Sequence, residues 1–290
     1  MARFYNYQGL AAENLTHVRC YVCGADSTRP VGLDNGFQIV RCNECDLVYV
    51  NPRPNPAQLR EFYEKYYEPE EVVPEAWERE MGAVFAQHGD WIEEHSKPPG
   101  VVLDIGSSFG HFLAGMERRG WKTVGIEPSS IAADDSRTRL KGTVHTGGFE
   151  EVTLASESFD AVVSLYVLEH VNDPRGFMQE VFRVLKPGGQ AIIRIPFTRP
   201  LFPIYRMLKR PLMYAPMHLN DFPPRAMRRM GLGLGFKRVD FRIGTARKAS
   251  DTLEKVGAVV LGGFGRVVEG ATGARVVFPY VGALSYRLYK

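Results

Sequence analysis

Ten residues, Val101-Val102-Leu103-Asp104-Ile105-Gly106-Ser107-Ser108-Phe109-Gly110, constrain this chain more than any other stretch. An apolar run enters a loop of small residues and then a helix, the arrangement that places a ligand at the carboxyl end of a strand. A dinucleotide fingerprint requires G-x-G-x-x-G. Here Ser107 and Ser108 stand between Gly106 and Gly110, so a nicotinamide cofactor is disfavoured. Asp104, at the strand end, would repel a diphosphate and favour a cationic ligand. The next strand ends Gly125-Ile126-Glu127, where Glu127 is placed to accept hydrogen bonds from both hydroxyls of a ribose. One loop for a cationic amino-acid tail and one acid for a ribose describe S-adenosylmethionine.

What surrounds this loop alternates. The pattern predicts strands at Val101–Ile105, Lys122–Ile126, Thr143–His145, Ala161–Leu165 and Gln190–Ile195, with helices at Phe109–Arg119, Ser130–Leu140 and Arg175–Leu185 between them. Strands interleaved with helices at this spacing give a parallel sheet with helices on both faces. Upstream, Ala57–Tyr67 and Glu75–His95 read as helices, and Pro98-Pro99-Gly100 closes that region. Downstream, a strand opens at Gly235-Phe236 and a last one covers Ala283–Tyr289. Leu253–Val268, rich in valine, reads as a core helix, a dimer surface or a membrane-surface contact.

Four motifs in this order, LDIGSSFG, GIEPS, SFDAVVSLYVLEHV and LKPGG, resemble the class I S-adenosylmethionine-dependent methyltransferases. The resemblance covers roughly Val101 to Ile195 and implies an α/β fold. That fold is a Rossmann-like, seven-stranded, mostly parallel sheet with helices on both faces, completed by a reversed final strand. It further implies that Asp104, Gly106, Ser107 and Gly110 contact the methionine moiety, Glu127 the ribose, Leu165 and Tyr166 the cofactor near its sulfur, and Phe149 the adenine. The family loop usually has glycine where Ser108 stands, and the aspartate that often holds the adenine amino group is not evident.

All four cysteines lie in one short stretch, Cys20-Tyr-Val-Cys23 and Cys42-Asn-Glu-Cys45, each pair followed by a residue suited to a knuckle turn, Gly24 or Asp46. Two such knuckles assemble a tetrahedral four-thiolate site that suits zinc, and a closed site of this kind is structural. The same residues would serve as two disulfides only in an oxidising compartment. Asn51-Pro52-Arg53-Pro54-Asn55-Pro56 follows as a stiff connector. A cysteine-knuckle module, NPRP and a tyrosine-rich helix (Phe62, Tyr63, Tyr66, Tyr67) resemble the front of a group of bacterial methyltransferases that act on small molecules. The expected division is a zinc-knuckle module over 1–55, a helical connector and cap over 56–97, and the methyltransferase domain over 98–290, with 196–222 as a substrate lid.

Of the 290 residues 44% are hydrophobic and 24% charged, which excludes disorder and a disulfide-dense scaffold. The longest uncharged stretch, Ile105 to Met116, is too short for a spanning helix, and the N-terminus lacks a secretory signal pattern, so the cytoplasm is the default location. The net charge of +3 is too small to indicate wholesale nucleic-acid binding. Its distribution is uneven. Arg60–Glu94 is acidic, whereas Arg199–Arg229 sets seven basic residues against Asp221 alone.

Methyl transfer from a sulfonium needs alignment and exclusion of water, and a hydroxyl acceptor also needs a base. His170, in Leu168-Glu169-His170, and His218, in Met217-His218-Leu219-Asn220-Asp221-Phe222, are the candidate bases. The lid's Arg206, Lys209 and Arg210 favour an anionic small-molecule acceptor. An RNA methyltransferase using the zinc module to bind RNA, and a non-catalytic zinc- or cofactor-binding adaptor, are the alternatives. A homodimer is compatible with either.

Overall fold

The computed structural model describes residues 15–66, 74–243 and 282–290. The segment Leu253–Val268 and residue Tyr67 fall outside it, as do the side chains of Tyr63 and Tyr66. In chain order the elements begin with β1 (Thr28–Asp34), β2 (Phe37–Cys42), β3 (Val48–Val50), α1 (Pro56–Tyr66) and α2 (Pro74–Glu93). Then come β4 (Val101–Ile105), α3 (His111–Arg118), β5 (Lys122–Glu127), α4 (Ser130–Arg139), β6 (Thr143–Thr146), β7 (Phe159–Leu165), α5 (Pro174–Val184) and β8 (Leu185–Phe197). The rest are α6 (Phe202–Met207), β9 (Asn220–Asp221), α7 (Pro224–Gly233), β10 (Arg238–Ile243) and β11 (Gly282–Tyr289).

Seven strands form one sheet in the order β10-β11-β8-β7-β4-β5-β6. Strands β4, β5, β6, β7 and β8 pair in parallel, and β11 runs antiparallel to both β8 and β10. Successive side chains on each strand fall on opposite faces, which divides the core cleanly. Leu103, Ile105, Val162, Ala191, Ile193 and Ile195 face α5 and α7, whereas Val102, Ala161, Val163 and Ile192 face Trp91, Ile92, Phe112, Leu113 and Met116 of α2 and α3. Helices thus cover both faces, as the alternating pattern requires.

Local signals set the helix starts. Asp173 caps α5, its Oδ1 accepting from Arg175 N at 3.1 Å and Gly176 N at 3.0 Å, with Pro174 supplying the φ of the first turn. Ser129 caps α4 through Ala132 N. The LKPGG motif lies within β8: Leu185 pairs with Phe159 and Gln190 with Ala161, so Lys186–Gly189 stand opposite Asp160 alone and are accommodated at a register shift.

A second, four-stranded sheet has the order β1-β2-β3-β9. Its last strand comes from the segment between β8 and α7, since Val48 and Tyr49 pair with Asp221 and Asn220. Leu59, Phe37, Ile39, Val48 and Val50 pack with Phe202, Leu212, Met213, Ala215 and Leu219. The cysteine region and the segment between β8 and α7 therefore share one apolar core. Arg53, from the proline-rich connector, is 1% exposed at this junction. It donates to the carbonyls of Val50 (3.2 Å), Asn172 (2.9 Å) and Leu219 (3.4 Å) and to Asn220 Oδ1 (3.0 Å), with the Tyr21 and Tyr49 rings beside its guanidinium.

Candidate active site and cysteine centre

The loop after β4 is held open by its backbone. Gly106 and Gly110 have φ of +78° and +73°, and a Cβ on Gly106 would come within 2.4 Å of Val167. Ser108 occupies the same left-handed region at φ +49°, where the family loop has glycine. Glu127 compensates: its Oε2 accepts from Ser108 N at 2.8 Å and its Oε1 from Ser129 N at 2.9 Å. Each carboxylate oxygen keeps a second lone pair, so the same acid can still receive hydroxyl donors. Asp104 is fully buried below the loop, and burial together with the neighbouring Glu127 charge pushes its carboxyl up to about 8. Burial raises Glu127 as well, against the two amides that favour its charged form. Two adjacent acids that resist ionisation are complementary to a cation.

Gly147 N bonds the Glu127 carbonyl at 3.0 Å, which brings the Gly147–Glu150 turn beside the end of β5. Within that turn Phe149 is buried edge-on against Phe177, with ring centroids 5.2 Å apart. Leu165 ends β7, and Tyr166 follows at φ +62°. Arg194 Nε donates to Tyr166 Oη at 2.8 Å, and Arg194 Nη1 to Ser285 Oγ at 3.2 Å. Ser285 in turn meets His88 Nε2 at 2.9 Å, so a buried polar chain runs from α2 through the sheet to Tyr166.

Just beyond, the turn after β7 meets the returning lid. Leu219 N and Asn220 N both donate to the Glu169 carbonyl, at 2.7 and 3.1 Å. That contact stacks the His170 and His218 rings edge to face, 4.7 Å between centroids. His170 Nδ1 lies 2.9 Å from the Met217 carbonyl, and its Nε2 is 3.9 Å from Glu169 Oε1. Burial lowers both imidazoles below their ordinary value, so both are neutral at pH 7. The acids show the opposite shift. Burial raises Glu169 to about 8, with the nearby Asp221 adding to it, and burial raises Asp221 to about 7 against the pull of Arg199. Among the described residues, both oxygens of Glu169 and Oδ1 of Asp221 are buried without a hydrogen-bond partner.

Glu169 and Asp221 stand in the same LEH and MHLND motifs as the candidate histidines and are the residues that periodicity and motif spacing do not single out. Charge beside an imidazole was the available signal. The seven basic residues of Arg199–Arg229 do not act together. Arg225 and Arg229 donate to the Glu44 carbonyl at the second cysteine knuckle, Arg206, Lys209 and Arg210 are exposed, and Arg199 lies close enough to Asp221 to pull its carboxyl down.

Residues 103–193 match the family model of a methyltransferase domain. The match places a methyltransferase domain over those residues. Its relatives include a demethylmenaquinone methyltransferase of Tropheryma whipplei, 28% identical over 168 residues, covering 53% of this chain and 66% of that one. Another is a ubiquinone biosynthesis O-methyltransferase of Stutzerimonas stutzeri, 32% identical over 108 residues, covering 35% and 47%. The chain spans about half the length of the curated relatives it matches. Among solved structures, the S-adenosylmethionine complex of a Haemonchus contortus phosphoethanolamine N-methyltransferase shares the fold, with a TM-score of 0.54 at 16% identity, covering 84% of this chain and 62% of that chain. No described helix is long and apolar enough to cross a membrane.

The methyltransferase domain is joined to a cysteine cluster. Gly24 and Asp46, which follow the two pairs, have φ of +73° and +69°, and the turns they make bring the four sulfurs within 4.8 Å of one another. Cys20 and Cys45 are 3.4 Å apart and Cys23 and Cys42 3.5 Å, far beyond a disulfide bond. A zinc tetrahedron with Zn–S bonds of about 2.3 Å has edges of about 3.8 Å, so these thiols fit such an ion.

Proposed function

We propose that the chain transfers the methyl group of S-adenosylmethionine to a small-molecule acceptor held where the turn after β7 meets the lid. The single observation carrying this reading is the meeting of Glu169, His170, His218 and Asp221 at the carboxyl end of the sheet, beside the loop that closes on Glu127. Asp104, Gly106, Ser107 and Gly110 would hold the methionine moiety, Glu127 the ribose, Phe149 the adenine, and Leu165 and Tyr166 the region of the sulfonium. The cofactor, once bound, supplies the activated methyl group. The chain's own residues align the acceptor, exclude water and accept its proton.

For the proton, the carboxyls are better matched to neutral pH than the imidazoles. A base works best when its pKa is near the working pH, which describes Glu169 and Asp221, while His170 and His218 are poised to pass a proton between acceptor and acid. Arg199, beside Asp221, supports an acceptor with negative charge. One relative is named for demethylmenaquinone and another for ubiquinone biosynthesis, which supports a small molecule over RNA. The four thiols would hold zinc as a brace for β2, β3 and the lid strand.

Calorimetric titration with S-adenosylmethionine tests the first half of this reading, and Asp104→Ala should abolish the binding. Acceptor pools screened by a methyl mass shift test the second. Glu169→Gln should retain cofactor binding and lower kcat by at least tenfold. Intact turnover in Glu169→Gln together with His170→Ala would remove the proposed acid–base role.

A further inference from the structure

The large apolar side chains left exposed are concentrated in one place. Of seven among the described residues, Leu33, Ile204, Met207, Leu208 and Tyr214 belong to the end of β1 and to the lid, with Leu33 73% and Met207 75% exposed. Single exposed apolar residues are ordinary, but a contiguous group rimmed by charge marks a docking surface. Ile204, Met207 and Leu208 recur at i, i+3 and i+4 on one face of α6 and its end. Leu33, Asp34 and Asn35 line one hollow with Arg206, Lys209, Arg210 and Leu212. The turn is also fastened to the lid: Asp34 Oδ2 accepts from Met213 N at 2.8 Å and Ala215 N at 3.1 Å, and Asn35 Nδ2 donates to the Ala215 carbonyl at 2.7 Å. Leu33 is therefore fixed in place beside Arg206 of α6.

Charge on this face has one sign. Arg206, Lys209 and Arg210 are exposed, and none forms an ion pair among the described residues. The one acid of the hollow, Asp34, is buried and committed to lid amides.

We infer that this face, with Leu33, Ile204, Met207 and Leu208 as its apolar tip and Arg206, Lys209 and Arg210 as its rim, docks on an anionic lipid bilayer. Interfacial binding requires apolar side chains that enter the headgroup boundary and cations at the same depth to meet lipid phosphates, and both are here. A nucleic acid would use the cations and gain nothing from Met207 or Leu208. The same lid carries His218, so docking would bring the acceptor end of the methyltransferase domain to the membrane surface. The inference does not depend on the acceptor or on turnover.

Flotation of the zinc-loaded full chain with vesicles tests it, comparing mixed phosphatidylglycerol–phosphatidylcholine with phosphatidylcholine alone. Binding should be confined to the anionic vesicles and weaken with salt. Arg206→Ala/Lys209→Ala/Arg210→Ala should lower partitioning on the order of a hundredfold, as removal of three juxtamembrane cations does. Met207→Asp/Leu208→Asp should lower it at least tenfold, and both variants should keep the parent's affinity for S-adenosylmethionine. Absence of vesicle binding, or equal binding by the variants, overturns the inference. A concentration-dependent dimer broken by Met207→Asp would assign the face to a second copy. Slow reaction of a Met207→Cys variant with a charged maleimide, without vesicles, would mean that another part of the chain covers it; either result also overturns the inference.

Discussion

Glu127 closes on the amide of Ser108 at 2.8 Å and holds that residue at φ +49°, in a backbone region where the family uses glycine. One acid thus shapes the loop after β4 and keeps a lone pair on each oxygen for a further donor. A side chain in the left-handed region costs on the order of 1–2 kcal/mol, part of which the Glu127 hydrogen bond offsets. Ser108→Gly should be neutral or stabilising, and Ser108→Val should lower stability by about 1–2 kcal/mol, read from denaturant midpoints. Glu127→Ala leaves both amides without their acceptor and should weaken S-adenosylmethionine binding roughly tenfold to a hundredfold, with Glu127→Gln intermediate.

Asp104 provides a pH prediction whose sign is set by its raised pKa of about 8. The folded chain keeps this proton to higher pH than the unfolded chain, so stability from this group falls as pH rises from about 4 to about 8. Asp104→Asn should therefore gain stability relative to the parent as pH rises through that window, measured by chemical denaturation. A cationic ligand favours the ionised form, so cofactor binding at pH 7 should release a proton. Calorimetry in two buffers of different ionisation heat would detect it, and the Asn variant should release none.

Arg53 should matter more than its place in a connector suggests. Arg53→Ala would leave the Val50, Asn172 and Leu219 carbonyls and the Asn220 side chain without their buried donor. A loss of about 3 kcal/mol is expected, a fall in Tm of roughly 10 °C. Arg53→Lys should recover only part of it, because an ammonium cannot span four acceptors.

The cysteine centre should act on the lid at a distance. Cys45→Ser, or treatment with a chelator, should loosen β3 and with it β9, which among the described strands pairs with β3 through Val48 and Tyr49. Hydrogen exchange should then speed up at Val48–Val50 and at Asn220, and methyl transfer should fall with cofactor affinity kept. Unchanged exchange at Asn220 would show that the lid strand is held independently.

Much of the methyltransferase domain can be read from local pattern. Val101–Ile105 is the strand expected, with the same ends, because a short buried parallel strand bounded by Gly100 and Gly106 has no competing period. The helix after it begins at His111, two residues later than its periodicity suggests, because Gly110 adopts a left-handed conformation at its N-cap. The cysteine knuckles were legible for the same local reason: a spacing of two residues and a turn-forming follower need no distant partner.

Other features depended on contacts that no local pattern contains. Nothing in Asn220-Asp221 distinguishes a lid segment from the fourth strand of the cysteine sheet, since a two-residue strand carries no period and is set by its partner, Val48-Tyr49. Likewise the value of Glu169 depends on burial, which empties its surroundings of water and raises its carboxyl to about 8. The sequence by itself determined the alternation of strands and helices, the glycines of the cofactor loop and the cysteine spacing, because each rests on neighbours along the chain. Tertiary structure decided that Arg53 would be buried, that His170 and His218 would stack, and which arginines would face solvent, because those outcomes depend on which surfaces meet and what water they exclude.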